Sequence, residues 1–176
     1  YYGDALISIE SEYMIGMVVA DCYPCVIVDH QTKTFALIHC GWKSLVQNII
    51  QLTIGQMKLL NENSSMHDFS AWIGPGISAR KYLHTPPVLQ QLLPKWELFI
   101  KPLQTGEYSI DLASYIQKEL IQAGIAKDEV ISENTCTFTE KDTFFSFTRA
   151  KKENDEDGRF FVTVWPTNGQ QSYDNL

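Results

Sequence analysis

Apolar and polar positions alternate along the first forty residues in the way that half-buried strands require. The alternation predicts four strands, over residues 5–9, 13–20, 25–29 and 34–40. The polar segment Asp29–Lys33 separates the last two of them. Because two apolar runs flank a short polar turn, these two strands are predicted to pair as a hairpin.

Helical spacing of apolar residues follows, and it predicts a helix from Ser44, as N-cap, to about Leu60. A short helix is predicted from Pro86-Pro87 to Pro94 and a third from Asp111 to Gly124. Further strands are predicted over 70–73, 130–133, 143–148 and 160–165. Strands that alternate irregularly with three helices favour an α+β fold.

The composition predicts one packed domain, because 44% of the 176 residues are hydrophobic and 20% are charged. This domain is placed over residues 1–166, and the polar segment 167–176 is predicted to be a flexible tail. The net charge of −7 argues against a nucleic-acid partner, since phosphate binding needs a basic face. No apolar run reaches the ~20 residues of a membrane span, so no membrane partner is expected.

The four cysteines are too few for a disulfide scaffold. Unpaired cysteines and the absence of a visible leader predict a cytoplasmic protein. The chain starts at Tyr1 without a Met, and a predicted strand follows within a few residues, so we expect a fragment or a processed chain. The sequence leaves the oligomeric state open, and a monomer is compatible with it.

Cys22-Tyr-Pro-Cys25 is a CxxC motif with three interpretations: a redox pair, half of a zinc site, or two buried thiols. A redox pair normally lies at a helix N-terminus, which lowers the thiol pKa, whereas the flanks here resemble strands. A four-thiolate zinc site needs a second CxxC, and the sequence has none. Two buried thiols are therefore the default interpretation.

His39 ends a predicted strand, and the hairpin brings it to the same end as Cys22. A thiolate with an imidazole suits Zn²⁺ or copper, although a lone Cys/His pair is more often structural. Arg149 ends a predicted aromatic strand. It is either a structural arginine or an anion ligand, because the guanidinium fork matches phosphate.

A series of short motifs follows in a defined order: Gly3-Asp4-Ala5-Leu6, Ala20-Asp21-Cys22-Tyr23-Pro24, His39-Cys40-Gly41-Trp42-Lys43, Ile73-Gly74-Pro75-Gly76-Ile77, Asp111-Leu112, Cys136-Thr137, Phe144-Phe145-Ser146-Phe147 and Gly158-Arg159. This order resembles the YfiH family, also called the multicopper polyphenol oxidase or laccase-domain family. The resemblance extends from Gly3 to about Val164. Ala-Asp-Cys-x-Pro followed by His-x-Gly-Trp is a specific combination.

The resemblance implies an α+β fold with a β-sandwich-like core of mixed strands flanked by helices. It also implies a zinc or copper site of two His and one Cys, of which Cys22 and His39 match two. The third His of the family lies in an upstream segment that this sequence does not contain, so the domain is expected to lack its N-terminal segment and to hold metal weakly. Lys43-Ser44 stands where the family usually has Arg-Gly.

The resemblance further implies an enzyme of small-molecule purine nucleosides. The reactions are phosphorolysis of adenosine, inosine or methylthioadenosine, and deamination of adenosine. Cys22 and His39 are then the catalytic residues, either as metal ligands or as thiolate and general base. Lys43 and Arg149 are predicted to bind phosphate, and Trp42, Tyr82 or Phe145 to stack on the purine, with Tyr82 taken as the substrate-binding residue.

Three other functions stay open at this point. One is a laccase-like polyphenol oxidase, although only four His are present for a copper cluster. Another is a hydrolase that edits peptidoglycan precursors with Cys22 as its nucleophile. The last is an inactive or truncated binding module.

Overall fold

A five-stranded sheet forms the centre of the fold in the computed structural model, which describes residues 3–9, 13–85 and 94–166. Its strands are Ala5–Ser8 (β1), Tyr23–Asp29 (β3), Phe35–Cys40 (β4), Phe69–Ile73 (β5) and Val130–Ser132 (β9). They lie in the order β1-β4-β3-β5-β9, and all neighbours are antiparallel except the parallel pair β5 and β9.

Two smaller sheets complete the strand arrangement. A two-stranded antiparallel sheet joins β2 (Ile15–Val19) to β10 (Phe160–Val164). A three-stranded sheet has the order β6-β8-β7, with bounds Leu83–His84 (β6), Ile100–Pro102 (β7) and Tyr108–Ile110 (β8).

The α-helices of the described residues are α1 (Trp42–Val46), α2 (Ile49–Leu60), α3 (Leu112–Gln122) and α4 (Phe147–Glu153). Helices α2 and α3 contact each other and the large sheet. Their apolar faces and the sheet bury one common core, whose fully buried members include Ile27, Ile38, Met57, Ile73, Ile116 and Leu120. Burying each such side chain stabilises the fold by roughly 1.5–3 kcal/mol, as an upper estimate.

The hairpin that links β3 to β4 confirms the predicted pairing. Register runs from Tyr23 opposite Cys40 to Val28 opposite Phe35. The turn is fixed by the buried carboxylate of Asp29, which accepts hydrogen bonds from the hydroxyls of Thr32 (2.7 Å) and Ser64 (2.6 Å). Mixed strands flanked by helices confirm the α+β class.

The helix predicted from Ser44 to Leu60 is wrong as a single element. It is interrupted at Asn48, which adopts a left-handed φ of 59° between α1 and α2. Ser44 is not the N-cap, because α1 begins at Trp42 and Gly41 is its N-cap. The Ser44 hydroxyl instead accepts from the Gly41 N–H (3.1 Å) and donates to the His39 carbonyl (2.7 Å).

The strand predicted over 143–148 is also wrong. Ser146 caps the short helix α4, and its hydroxyl accepts a hydrogen bond from the Arg149 N–H at 3.1 Å. The aromatic residues of this segment have high strand propensity, but packing and the cap override it. The predicted helix at Pro86-Pro87 and the predicted tail over 167–176 lie outside the described residues. Among those that are described, no helix is long and apolar enough to cross a membrane.

Candidate active site

A cavity of about 220 Å³ lies at the end of the β3–β4 hairpin. Cys22 directly precedes β3, and His39 is the penultimate residue of β4 and pairs with Pro24. The antiparallel register therefore brings both side chains to one place. They line the cavity together with Asp4, Gly41, Trp42, Lys43 and Ser44.

Gly41 lies beside both the sulfur of Cys22 and the imidazole of His39. A Cβ atom at this position would lie 3.1 Å from Cys22 Sγ and 3.6 Å from His39 Cε1. The backbone of Gly41 is extended, with a φ of −89°, so conformation alone does not require glycine here. The missing side chain instead leaves the space between Cys22 and His39 open.

Asp4 holds His39 through two contacts. Its carboxylate oxygen Oδ1 lies 2.8 Å from Nδ1 of the imidazole. In addition, the backbone N–H of His39 donates to the Asp4 carbonyl at 2.7 Å. Sequence reasoning quoted Asp4 as part of a motif but gave it no role, because the contact depends on the pairing of β1 with β4.

The Cys22 thiol is held in its protonated form. Burial, the largest effect, raises its pKa to about 11, and the negative charges of Asp21 and Asp4 act in the same direction. The positive charge of Arg159 opposes them. At neutral pH the protein alone therefore presents a thiol here, and a bound cation would be needed to favour the thiolate.

Asp21 fixes the turn that carries Cys22. It is buried and adopts a left-handed φ of 85°, a conformation that asparagine and aspartate tolerate better than most residues. Its carboxylate accepts from the Thr137 hydroxyl (2.8 Å) and from the Thr148 N–H (2.7 Å). These bonds join the Cys22 turn to the start of α4.

Of the predicted substrate-binding residues, Lys43 lines the same cavity as Cys22 and His39. It is exposed, with its Nζ 5.7 Å from the ring centroid of Trp42. Tyr82 is half-buried outside the cavity lining. Burial, the largest effect, raises the pKa of Tyr82, and negative charge on Cys22 and Asp21 would act in the same direction.

Arg149, predicted to bind phosphate, lies apart from the cavity and is buried. Its Nη1 donates to the carbonyls of Thr137 (2.7 Å) and Phe138 (3.0 Å), and its Nη2 to that of Phe144 (2.8 Å). Its Nε is bonded to Asp155. The guanidinium is therefore engaged with the protein's own backbone, which favours the structural interpretation of Arg149 over the phosphate contact.

The remaining cysteines lie in two environments, and all four cysteines of the chain are free thiols. Cys25 and Cys40 are fully buried in the core, so Cys22 and Cys25 face different surroundings. Cys136 is partly exposed, and its sulfur accepts from the Ser78 N–H at 3.3 Å. Burial alone would raise its pKa, but hydrogen bonds from Ser78 and Thr139 outweigh that effect and lower it.

The donor types in the cavity suit zinc or copper, since a thiolate and an imidazole are ligands of both. Their number falls short, because a catalytic zinc site takes about three protein ligands. Within residues 3–9, 13–85 and 94–166, no group of three or more His, Cys, Asp or Glu is placed to hold a metal ion. The Asp4 carboxylate is engaged with Nδ1 of His39.

The relatives found by comparison with known proteins carry the names of purine nucleoside enzymes. A purine nucleoside phosphorylase of Bacteroides thetaiotaomicron is 30% identical over 152 residues, which are 83% of this chain and 55% of that protein. A protein named adenosine deaminase RL5, from an unknown prokaryotic organism, is 25% identical over 92% of this chain and 62% of its own length. The chain thus spans somewhat more than half the length of these relatives.

A solved structure shows the same fold. The crystal structure of the Bacillus licheniformis hypothetical protein YfiH superposes with a TM-score of 0.79 at 25% identity, over 91% of this chain and 60% of that one. The family model described as multi-copper polyphenol oxidoreductase laccase matches residues 2–167. With nearly the whole chain matched, the protein belongs to this laccase-like family, to which YfiH proteins belong.

Proposed function

We propose that the protein is an enzyme of purine nucleosides and that the cavity formed by Cys22, His39 and Lys43 is its active site. The observation that carries the proposal is the convergence of Cys22 and His39 in one cavity, with Gly41 leaving the space between them open. Relatives named purine nucleoside phosphorylase and adenosine deaminase support the same substrate class.

Phosphorolysis is the reaction that we propose first. The bond between C1′ of the ribose and N9 of the purine breaks, and an oxygen of phosphate forms a new bond to C1′. Lys43 supplies positive charge at the cavity, which attracts the phosphate. His39 and Cys22 are the groups there that can exchange a proton with the substrate or with phosphate.

Deamination of adenosine is a second candidate, favoured by the relative named adenosine deaminase RL5. In this reaction a water adds to C6 of the purine and ammonia leaves. The step needs a group that accepts a proton from water and returns one to the leaving amine, and we assign this task to His39. Both reactions thus use His39 for proton transfer.

Cys22 and His39 are also the two ligands that we propose this chain offers to zinc or copper. Bound there, such an ion would supply a Lewis acid and an activated water. Tyr82 is proposed to contact the purine, because an aromatic ring can stack on a base. Arg149 has no part in this proposal, because its guanidinium is engaged with backbone carbonyls.

The test is an assay of the products formed from inosine and from adenosine, and the enzyme used is the longest natural polypeptide that contains this sequence. Phosphate-dependent release of hypoxanthine from inosine is the expected result, and formation of inosine from adenosine identifies the second reaction. Cys22→Ala should lower the rate at least tenfold, whereas the matched variant Cys136→Ala should not. Turnover of a polyphenol without turnover of either nucleoside would contradict the proposal, as would full activity in Cys22→Ala.

A further inference from the structure

The geometry points to Asp4 as the positioning residue of His39: its carboxylate holds the imidazole in the tautomer that carries the proton on Nδ1 and leaves Nε2 free towards the cavity. The observation behind it is the 2.8 Å contact between Asp4 Oδ1 and His39 Nδ1. The catalytic meaning of this tautomer rests on the proposed function. The tautomer itself does not.

The contact assigns the proton by elimination. An ionised carboxylate has no hydrogen to donate, so the nitrogen facing it must be the donor. A neutral imidazole carries one N–H, and a proton on Nδ1 leaves Nε2 as an acceptor. Histidines that bind metals or act as bases are commonly oriented by a carboxylate on the other ring nitrogen, which fixes tautomer and ring orientation together.

The surrounding structure holds this pair in place from two strands. Asp4 directly precedes β1, and Ala5 pairs with Ile38 next to His39 in β4. The backbone bond from His39 N–H to the Asp4 carbonyl (2.7 Å) does not involve the carboxylate. Replacing the Asp4 side chain should therefore remove the partner of Nδ1 while the strand pairing persists.

The other side of the ring faces the groups that would use a free Nε2. A Cβ atom at Gly41 would lie 3.8 Å from His39 Nε2 and 3.1 Å from Cys22 Sγ, and its absence leaves this position open. As a proton acceptor, Nε2 of His39 could receive a hydrogen from Cys22, from water or from a bound substrate. Both side chains of the Asp4–His39 pair are partly exposed, with 50% and 36% of their surface accessible, so ligands can reach the ring from solvent.

The experiment records the ¹⁵N shifts of the histidine rings in protein labelled at histidine, at about pH 8, where an ordinary imidazole is neutral. His39 is assigned by its absence in His39→Gln. We expect a protonated Nδ1 and a bare Nε2 in the natural chain, and a shift towards the opposite tautomer in Asp4→Ala. Asp128→Asn, which replaces an exposed aspartate on a separate turn, should leave the signal unchanged.

A proton on Nε2 in the natural chain, or a signal unchanged in Asp4→Ala, would overturn the inference. Activity gives a second readout: Asp4→Ala should lower kcat for inosine cleavage about 10–100-fold with KM little changed, and Asp4→Glu should recover part of the loss. If the natural chain cleaves no nucleoside while the predicted tautomer is found, the proposed function fails and the positioning role of Asp4 stands.

Discussion

Replacing Arg149 tests whether this side chain is structural, as its contacts indicate. Arg149→Met keeps an unbranched apolar stem but removes every N–H of the guanidinium. Three backbone carbonyls, which accept at 2.7, 2.8 and 3.0 Å, then lose their donor. Leaving a buried acceptor without a partner costs roughly 1–3 kcal/mol.

Three such acceptors, each near the low end of this range, give an expected loss in the free energy of unfolding of about 3–5 kcal/mol. The low end applies because water reaches part of such a site after truncation. The ion pair with Asp155 adds nothing to this figure, because that carboxylate is exposed. Arg149→Lys should lose about half as much, since one ammonium cannot reproduce the planar fork.

Urea unfolding followed by tryptophan fluorescence measures the effect, with the slope m as a check on two-state behaviour. The matched control is Arg159→Met, which removes an exposed guanidinium and should change the free energy of unfolding by less than about 0.5 kcal/mol. A loss below about 1 kcal/mol in Arg149→Met would refute the structural assignment. It would return Arg149 to the residues that are free to bind an anion.

Three further predictions concern other buried or reactive groups. Asp21→Ala should lower the free energy of unfolding by about 2–4 kcal/mol in a urea titration, because two hydrogen bonds are lost and alanine is strained at a φ of 85°. Burial alone would raise the pKa of Asp29, but hydrogen bonds from Ser64 and Thr32 lower it. The ionised Asp29 carboxylate therefore stabilises the folded state fully above its unfolded pKa of about 3.9, and this stabilisation is lost as the pH falls through the folded pKa. Asp29→Asn should flatten the acid limb of a plot of unfolding free energy against pH. An unchanged acid limb would contradict this assignment. Iodoacetamide at neutral pH should label Cys136, whose pKa is lowered, before Cys22, whose pKa is raised to about 11, and peptide mass spectrometry showing the reverse order would refute these environments.

Much of the central sheet could be predicted from the sequence because its strands are continuous apolar runs bounded by polar turns. The hairpin of β3 and β4 is the clearest case, and it brings Cys22 and His39 to one end without further information. The interruption at Asn48 could not be predicted in this way. The apolar spacing continues through it, and only the left-handed backbone of that one residue separates α1 from α2.

The contacts that sequence reasoning missed join residues far apart in the chain. Asp4 is 35 residues from His39, and their contact requires β1 to pair with β4 in one register. Asp21 contacts Thr137, 116 residues away. The local structure around Arg149 was missed for another reason: the strand propensity of the neighbouring aromatic residues concealed a capped helix, in which Arg149 is buried.

The most direct test of the proposed active site compares two histidine variants in one assay. His39→Ala removes the imidazole from the cavity, whereas His67→Ala removes one from a short turn away from it. Phosphate-dependent cleavage of inosine should fall at least 100-fold in the first variant and stay within about twofold in the second. Equal rates in the two variants would contradict the assignment of this cavity as the active site.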